Sequence, residues 1–258
     1  MLEQRAAKVS PAAPALVLAA AGAAVGTVLL ARGMEVGPGT MGMGLVPFLA
    51  VWTLMMAAMM LGSVSPVAGL YLRRLSAEPR GGVRALRTAA LVGGYLLAWA
   101  TFGVAGYLLA RAGGWLVDEH PGQAPYVGAA ALAVAGLYQL TPLKEFCLRN
   151  CRSPIGLFLT YSALRGRTRD LQVGLRHGSY CVGCCWGLMV VLVVMGVMNV
   201  GWMVLIAVAI AIEKLWRHGR RFAMATGITL VALAFVVPSH PDLVPGLNPV
   251  DQQSDMGM

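Results

Sequence analysis

A chain of 258 residues that is 58% hydrophobic and only 12% charged has too little polar surface to cover a water-soluble domain of its size. Its mean hydropathy of +0.70, together with several runs of about 20 apolar residues, predicts a helical membrane protein. The formal net charge of +9 does not require a nucleic-acid partner, because no basic patch with interleaved aromatic residues accompanies it.

The apolar runs predict an all-α bundle of about seven membrane-spanning helices, which form a single domain over residues 1–258. Six spans are the nearest alternative, if the first or the sixth run is miscounted. The first run could also be a cleaved signal sequence, although its length favours a retained anchor. The predicted spans are 12–31, 45–66, 88–110, 125–143, 178–197, 199–215 and 222–238.

Basic residues are concentrated in every second connection between the predicted spans, and this pattern predicts the orientation of the chain in the membrane. The segments 1–11, 73–87, 144–176 and 214–221 hold 18 of the 20 Lys and Arg residues. Cytoplasmic loops carry such an excess, so we expect the N-terminus inside, the C-terminus outside and a multi-pass position in the cytoplasmic membrane. The basic loops would then face the anionic lipids of the inner leaflet. The tail 239–258 contains Pro and Asp and is expected to be mobile.

All five cysteines lie at the predicted cytoplasmic ends of two spans. Cys147 and Cys151 are four residues apart, and Cys181, Cys184 and Cys185 occupy positions i, i+3 and i+4, so each set shares one helix face. A reducing cytoplasm disfavours structural disulfides. Two closely spaced thiol sets separated by a longer stretch are typical of a thiolate metal site. Thiol redox chemistry and inert core packing are the alternatives.

Methionines form a second sulfur pattern. The second span carries two i, i+4 pairs: Met55, Met56, Met59 and Met60. Met189 lies about two turns beyond Cys181 on nearly the same face. The outer connections and the tail contain further methionines: Met34, Met41, Met43, Met198, Met203, Met256 and Met258.

Soft sulfur ligands select Cu(I), so thioethers that lead to thiolates predict a copper relay toward an inner cysteine site. The outer methionines would capture the ion, and the methionines of the second span would carry it through the membrane. Zinc or an iron–sulfur cluster is also compatible with the cysteines, but zinc has little use for methionine. Methionine is also an ordinary filler of helix packing, which is the alternative interpretation of the pattern.

Polar residues near the inner ends of the spans are candidates to assist the cysteines. His177, one turn before Cys181, is a candidate fourth ligand, although an interfacial histidine is the commoner role. Glu213 and Lys214 are interpreted as an interfacial pair that reaches toward water. Pro142 is expected to break the helix around it. Three residues are candidates to support the thiolates without binding metal: Glu213, Lys144 and Gln139.

Five sequence blocks carry a resemblance to a known family: WTLMMAAMM (52–60), YQLTPLKEFCLRNCRSP (138–154), CVGCCWGLM (181–189), GVMNVGWM (196–203) and EK (213–214). Over about residues 45–217 the chain resembles the bacterial predicted metal-binding integral membrane proteins, a domain of unknown function. The resemblance implies a membrane protein of bacteria that binds metal through its cysteines. The implied ligands are Cys147, Cys151, Cys181, Cys184 and Cys185.

The sequence contains no phosphate-binding loop, no pair of carboxylates within the spans and no His-rich motif, so it does not indicate an enzyme. We predict a protein that binds a soft metal, with Cu(I) preferred, in metal transport or transfer. A metal chaperone or a copper enzyme is the expected protein partner, beside the lipid bilayer. The alternatives are a membrane thiol–disulfide oxidoreductase that uses Cys181 and Cys184, and a subunit that assists the assembly of a copper enzyme.

Overall fold

The computed structural model of the chain describes residues 12–31, 39–75, 81–152, 163–164, 166, 168–197 and 199–247. Within these ranges it is all-α, as predicted, with three short 3-10 turns and no strand. The eight α-helices are α1 (Ala12–Ala31), α2 (Leu45–Leu75), α3 (Gly81–Glu119), α4 (Ala124–Leu140), α5 (Pro142–Arg152), α6 (Arg169–Met195), α7 (Val200–Leu215) and α8 (Gly219–Val236).

A helix lies at each of the seven predicted apolar runs, but fewer are long and apolar enough to cross a bilayer. Among the described residues three helices meet both requirements: Ala85–Glu119, Arg169–Met195 and Gly219–Val236. Helices α4 and α5 meet the requirements together, but their axes differ by 65°. They count as a fourth candidate only if the bent pair is one span. The number of seven spans and the orientation of the termini therefore stay predictions.

The break between α4 and α5 follows from Pro142, which has no N–H to continue the helix and whose ring clashes with the preceding turn. Thr141 is extended there, with φ −73° and ψ 150°. Its hydroxyl donates to the carbonyl of Tyr138 at 2.7 Å and accepts from the backbone N–H of Lys144 at 3.3 Å. The predicted break is confirmed, and the bend packs α5 against α6.

Helices α3 and α6 approach closely where glycines face each other. A Cβ at Gly94 or at Gly174 would overlap a backbone carbonyl of the opposite helix. An ion pair between Arg87 and Asp170, at 3.0 Å, joins the same two helices near these glycines. This contact places Tyr95 of α3 beside the cysteines of α6.

The first part of the tail, which the sequence predicts to be mobile, packs on the helices. Residues 241–247 form two 3-10 turns, and Val244 and Leu247 are buried in the core. Residues 248–258 lie outside the described residues. The same holds for four of the methionines assigned to the outer side: Met34, Met198, Met256 and Met258.

Candidate metal centre

Three thiols converge in the interior of the bundle. Cys151, Cys181 and Cys184 are buried, and their sulfur atoms all lie within 4.8 Å of one another. No other group of three His, Cys, Asp or Glu residues this close occurs in the part of the chain that the structure describes. Three sulfurs bound to one ion at about 2.3 Å each lie about 4 Å apart in a trigonal arrangement. The three thiols therefore fit one soft metal ion with small adjustments.

The two cysteine sets come together because of the bend at Pro142. It directs α5 along α6, so that Cys151, on the last turn of α5, reaches the face that carries Cys181 and Cys184. The Cys184 thiol donates to the backbone carbonyl of Cys181 at 3.2 Å. Residues far apart in the sequence thus form a single site on two helices.

The two other cysteines lie beside this group of three. Cys185 is buried, and its sulfur lies 3.3 Å from that of Cys184, but it is not within 4.8 Å of all three. Cys147 is half-buried, and its sulfur packs against Gly183. None of the five cysteines forms a disulfide. The five-thiol set expected from the sequence therefore divides into three convergent thiols, one neighbour and one peripheral thiol.

Lys214 is a site residue that the sequence interpretation placed wrongly. Its ammonium donates to the sulfur of Cys181 at 2.9 Å and to the sulfur of Met60 at 3.5 Å. The residue is only 6% exposed. Glu213 and Lys214 are both buried and have different partners, so they are not an interfacial pair. Consecutive helical residues point about 100° apart, which separates the two side chains.

Glu213 instead belongs to a buried polar triad on three helices. The ammonium of Lys144 donates to one carboxylate oxygen at 2.7 Å, and the amide of Gln139 donates to the other at 3.1 Å. Within the described part of the chain none of the three hydrogen-bonds to a cysteine. That Glu213, Lys144 and Gln139 support the thiolates stays a prediction. The three residues link α4, α5 and α7, because their polar groups form hydrogen bonds with one another where no water is available.

His177 is buried one turn before Cys181, but it is not a member of the convergent group. Its ring centroid lies 6.1 Å from that of Tyr95. The hydroxyl of Tyr95 is the group that reaches Cys181, at 3.0 Å from its sulfur. No sequence signal pointed to Tyr95, since it lies on a different span. For Lys214 the sequence did contain a signal, since a charged residue at the end of an apolar run is a candidate functional residue.

The methionines of α2 and α6 are mostly internal. Met55, Met56, Met60 and Met189 are completely buried, whereas Met59 is half-buried. Met60 reaches the thiol group through Lys214, as described above. Of the methionines that the sequence analysis assigns to the outer side, Met203 is buried and two others are half-buried: Met41 and Met43.

The fold and this centre define a helical protein with a buried three-thiol site suited to a soft metal. Residues 49–237 match the PpoB2 family, which is described as a copper chaperone. Because the match covers most of the chain, the protein belongs to this copper-chaperone family. The convergent thiols lie inside the matched residues. No curated protein and no solved structure matches the chain.

Proposed function

We propose that this protein is a membrane copper chaperone, which holds one Cu(I) ion as cargo among Cys151, Cys181 and Cys184 and passes it to a protein partner. The observation that carries the proposal is the convergence of three buried thiols from two helices, in a chain that belongs to a copper-chaperone family. Cu(I) accepts two or three soft ligands, whereas a structural zinc site usually has four.

The surroundings of the thiols favour a monovalent soft ion. Thiols must lose their protons when they bind metal, and the negative charge of the resulting thiolates must be balanced inside an apolar bundle. In the metal-free site the Lys214 ammonium, 2.9 Å from Cys181, supplies a single positive charge, which a monovalent ion would match. Burial of the three thiols excludes water, which protects Cu(I) from oxidation and from exchange with dissolved thiols.

We place the protein in the cytoplasmic membrane of a bacterium with seven spans, the N-terminus inside and the C-terminus outside. The alternation of basic connections supports this arrangement. Large apolar side chains on the outside of the bundle support it too: Phe235 is 82% exposed, Val46 77% and Leu18 71%. Such a surface is costly in water and favourable in lipid. The thiol group would then lie near the cytoplasmic side.

The buried methionines would form the membrane part of the copper route. Met55, Met56 and Met60 follow one another along α2, and Met60 contacts Lys214 beside the thiols. Neutral thioethers bind Cu(I) more weakly than thiolates do, so an ion would leave them for the cysteines. This gradient supports capture at the thiols and transfer from there to a metal chaperone or a copper enzyme.

The test is the metal content of the full-length protein, purified in detergent without oxygen or chelators and measured by mass spectrometry. We expect about one copper per chain in the wild type, and no copper retained through purification in the Cys181→Ser/Cys184→Ser variant or the Cys151→Ser variant. Cys147→Ser is the matched control, because Cys147 lies outside the convergent group, and this variant should keep its copper. Zinc or iron in place of copper would contradict the assignment of the ion.

A second measurement separates copper binding from the thiol–disulfide alternative. A Cys184→Ser variant would trap an oxidoreductase partner as a mixed disulfide, since the resolving thiol is missing. A copper chaperone should capture no partner covalently under the same conditions. A reproducible disulfide adduct, together with an absence of copper after reconstitution with Cu(I), would overturn the proposal.

A further inference from the structure

The ammonium of Lys214 marks a cation position between two sulfur atoms of different kinds. It lies 2.9 Å from the thiol sulfur of Cys181 and 3.5 Å from the thioether sulfur of Met60. Met60 is completely buried and Lys214 is 6% exposed, so the position is inside the bundle. One of its two sulfurs belongs to the convergent thiol group, and the other belongs to α2.

We propose that this position is the point through which Cu(I) reaches and leaves the thiol group, and that Lys214 is the resident cation that copper displaces. In this exchange the ammonium moves out, and Cu(I) is bound by Met60 and Cys181. Cys184 and Cys151 then replace Met60 as ligands, and each releases its thiol proton to solvent as it binds the ion. The inference rests on the proposed function, because it assigns a route to the same copper cargo.

Charge balance explains why one cation must leave when the other arrives. Two positive charges a few ångströms apart in an apolar interior repel strongly, so the ammonium and Cu(I) do not share the position. Exchange of one singly charged cation for another leaves the net charge of the Met60–Cys181 position unchanged. It therefore avoids the large penalty of an unbalanced buried charge.

Lys214 lies close enough to the end of its helix for its ammonium to reach water. It is the penultimate residue of α7, which ends at Leu215, and the residues that follow, Trp216 and Arg217, are exposed. A lysine this close to a helix end can extend its four-carbon stem along apolar surface and place its ammonium in water. The extended conformation that the sequence suggests for Lys214 would then belong to the copper-bound state.

The ligands of this position suit passage rather than storage. Met60 offers a neutral thioether and Cys181 a sulfur that also faces Cys184 and Cys151. An ion held by one thiolate and one thioether is bound more weakly than one held by three thiolates. Ligand exchange through a shared sulfur lets the ion move without ever being free.

The first experiment is an anaerobic Cu(I) competition titration of the full-length protein against a colorimetric chelator. Lys214→Leu removes the cation, and leucine, unlike methionine, adds no sulfur. Displacement predicts that this variant binds Cu(I) at least about tenfold more tightly than the wild type. Lys214→Arg keeps the positive charge and should stay near the wild-type affinity. Weaker or unchanged binding in Lys214→Leu would overturn the proposal, since it would show that copper does not compete with the ammonium.

The second experiment observes the thioether ligand directly. A selenomethionine-labelled Cys151→Ser/Cys184→Ser variant keeps both Met60 and Cys181. After loading with excess Cu(I), X-ray absorption should show a copper–selenium bond. Adding Met60→Leu should abolish that signal, and adding Met59→Leu, the half-buried neighbour, should not. Absence of the bond, or of any bound copper in this variant, would overturn the route. Failure of the proposed function would be recognised separately, because the wild type itself would then bind no copper.

Discussion

The ammonium of Lys144 and the carboxylate of Glu213 lie 2.7 Å apart, and their side chains are only 2% and 1% exposed. The pair joins α5, which carries Cys151, to α7, which carries Lys214. Gln139 occupies the second carboxylate oxygen, so the charged groups are satisfied without water. The pair therefore fixes the position of one thiol-bearing helix relative to the helix that supplies the cation.

Removal of one partner of this pair should destabilise the protein strongly. Glu213→Leu leaves the Lys144 charge buried and unpaired, so we expect the free energy of unfolding to fall by about 3–5 kcal/mol. Lys144→Met should cost a similar amount. The double variant should recover most of the loss, because no buried charge remains. Denaturant unfolding in detergent micelles, followed by circular dichroism, measures all three. A double variant as unstable as the sum of the two single variants would contradict this account.

The glycine contact between α3 and α6 should not tolerate a methyl group. Gly174→Ala places a Cβ against the Leu91 carbonyl, and we expect a loss of about 1–3 kcal/mol from this overpacking. Gly93→Ala is the matched control, because Gly93 lies next to the contact but has open space around it. Its substitution should be neutral or slightly stabilising, as is usual for glycine within a helix. Equal effects of the two variants on the unfolding temperature would exclude close packing as the cause.

Copper should stabilise the folded protein through its three thiols. A ligand at a free concentration of about 100 times its Kd adds about 2.7 kcal/mol to the free energy of unfolding. We therefore expect the Tm of the anaerobic protein to rise when Cu(I) is added, and to return when a chelator removes it. The rise should keep its full size in Cys147→Ser and be much smaller in Cys151→Ser, which has lost one of the three thiols. A rise of equal size in Cys151→Ser would place the copper elsewhere.

Reporter fusions should reveal alternate connections on opposite sides of the membrane. A reporter that is active only in the cytoplasm should work when fused after Arg152 or His218, because basic connections stay inside. It should be silent after His120, where the neighbouring residues are acidic. Activity at all three sites would contradict the proposed orientation and the seven spans.

The positions of the helices could be predicted from the sequence, but their ends could not. Long apolar runs are typical of segments that must satisfy their own backbone hydrogen bonds, and this predicts a helix at each run. The apolar run marks only the part of a helix that is hydrophobic, whereas the hydrogen-bonded helix continues into polar residues at both ends. The run 88–110 therefore lies inside a longer helix, α3, from Gly81 to Glu119. In the same way α6 begins at Arg169, nine residues before the predicted span.

The sequence by itself determined the all-α class, the spacing that puts thiols on common helix faces and the preference of those sulfurs for a soft metal. These properties depend on composition and on the fixed period of the α-helix. Only the tertiary structure decided that Cys151 joins Cys181 and Cys184, that Lys214 rather than His177 contacts Cys181, and that Glu213 pairs with Lys144. Those choices depend on the bend at Pro142 and on how each helix is rotated against its neighbours, which no local pattern encodes.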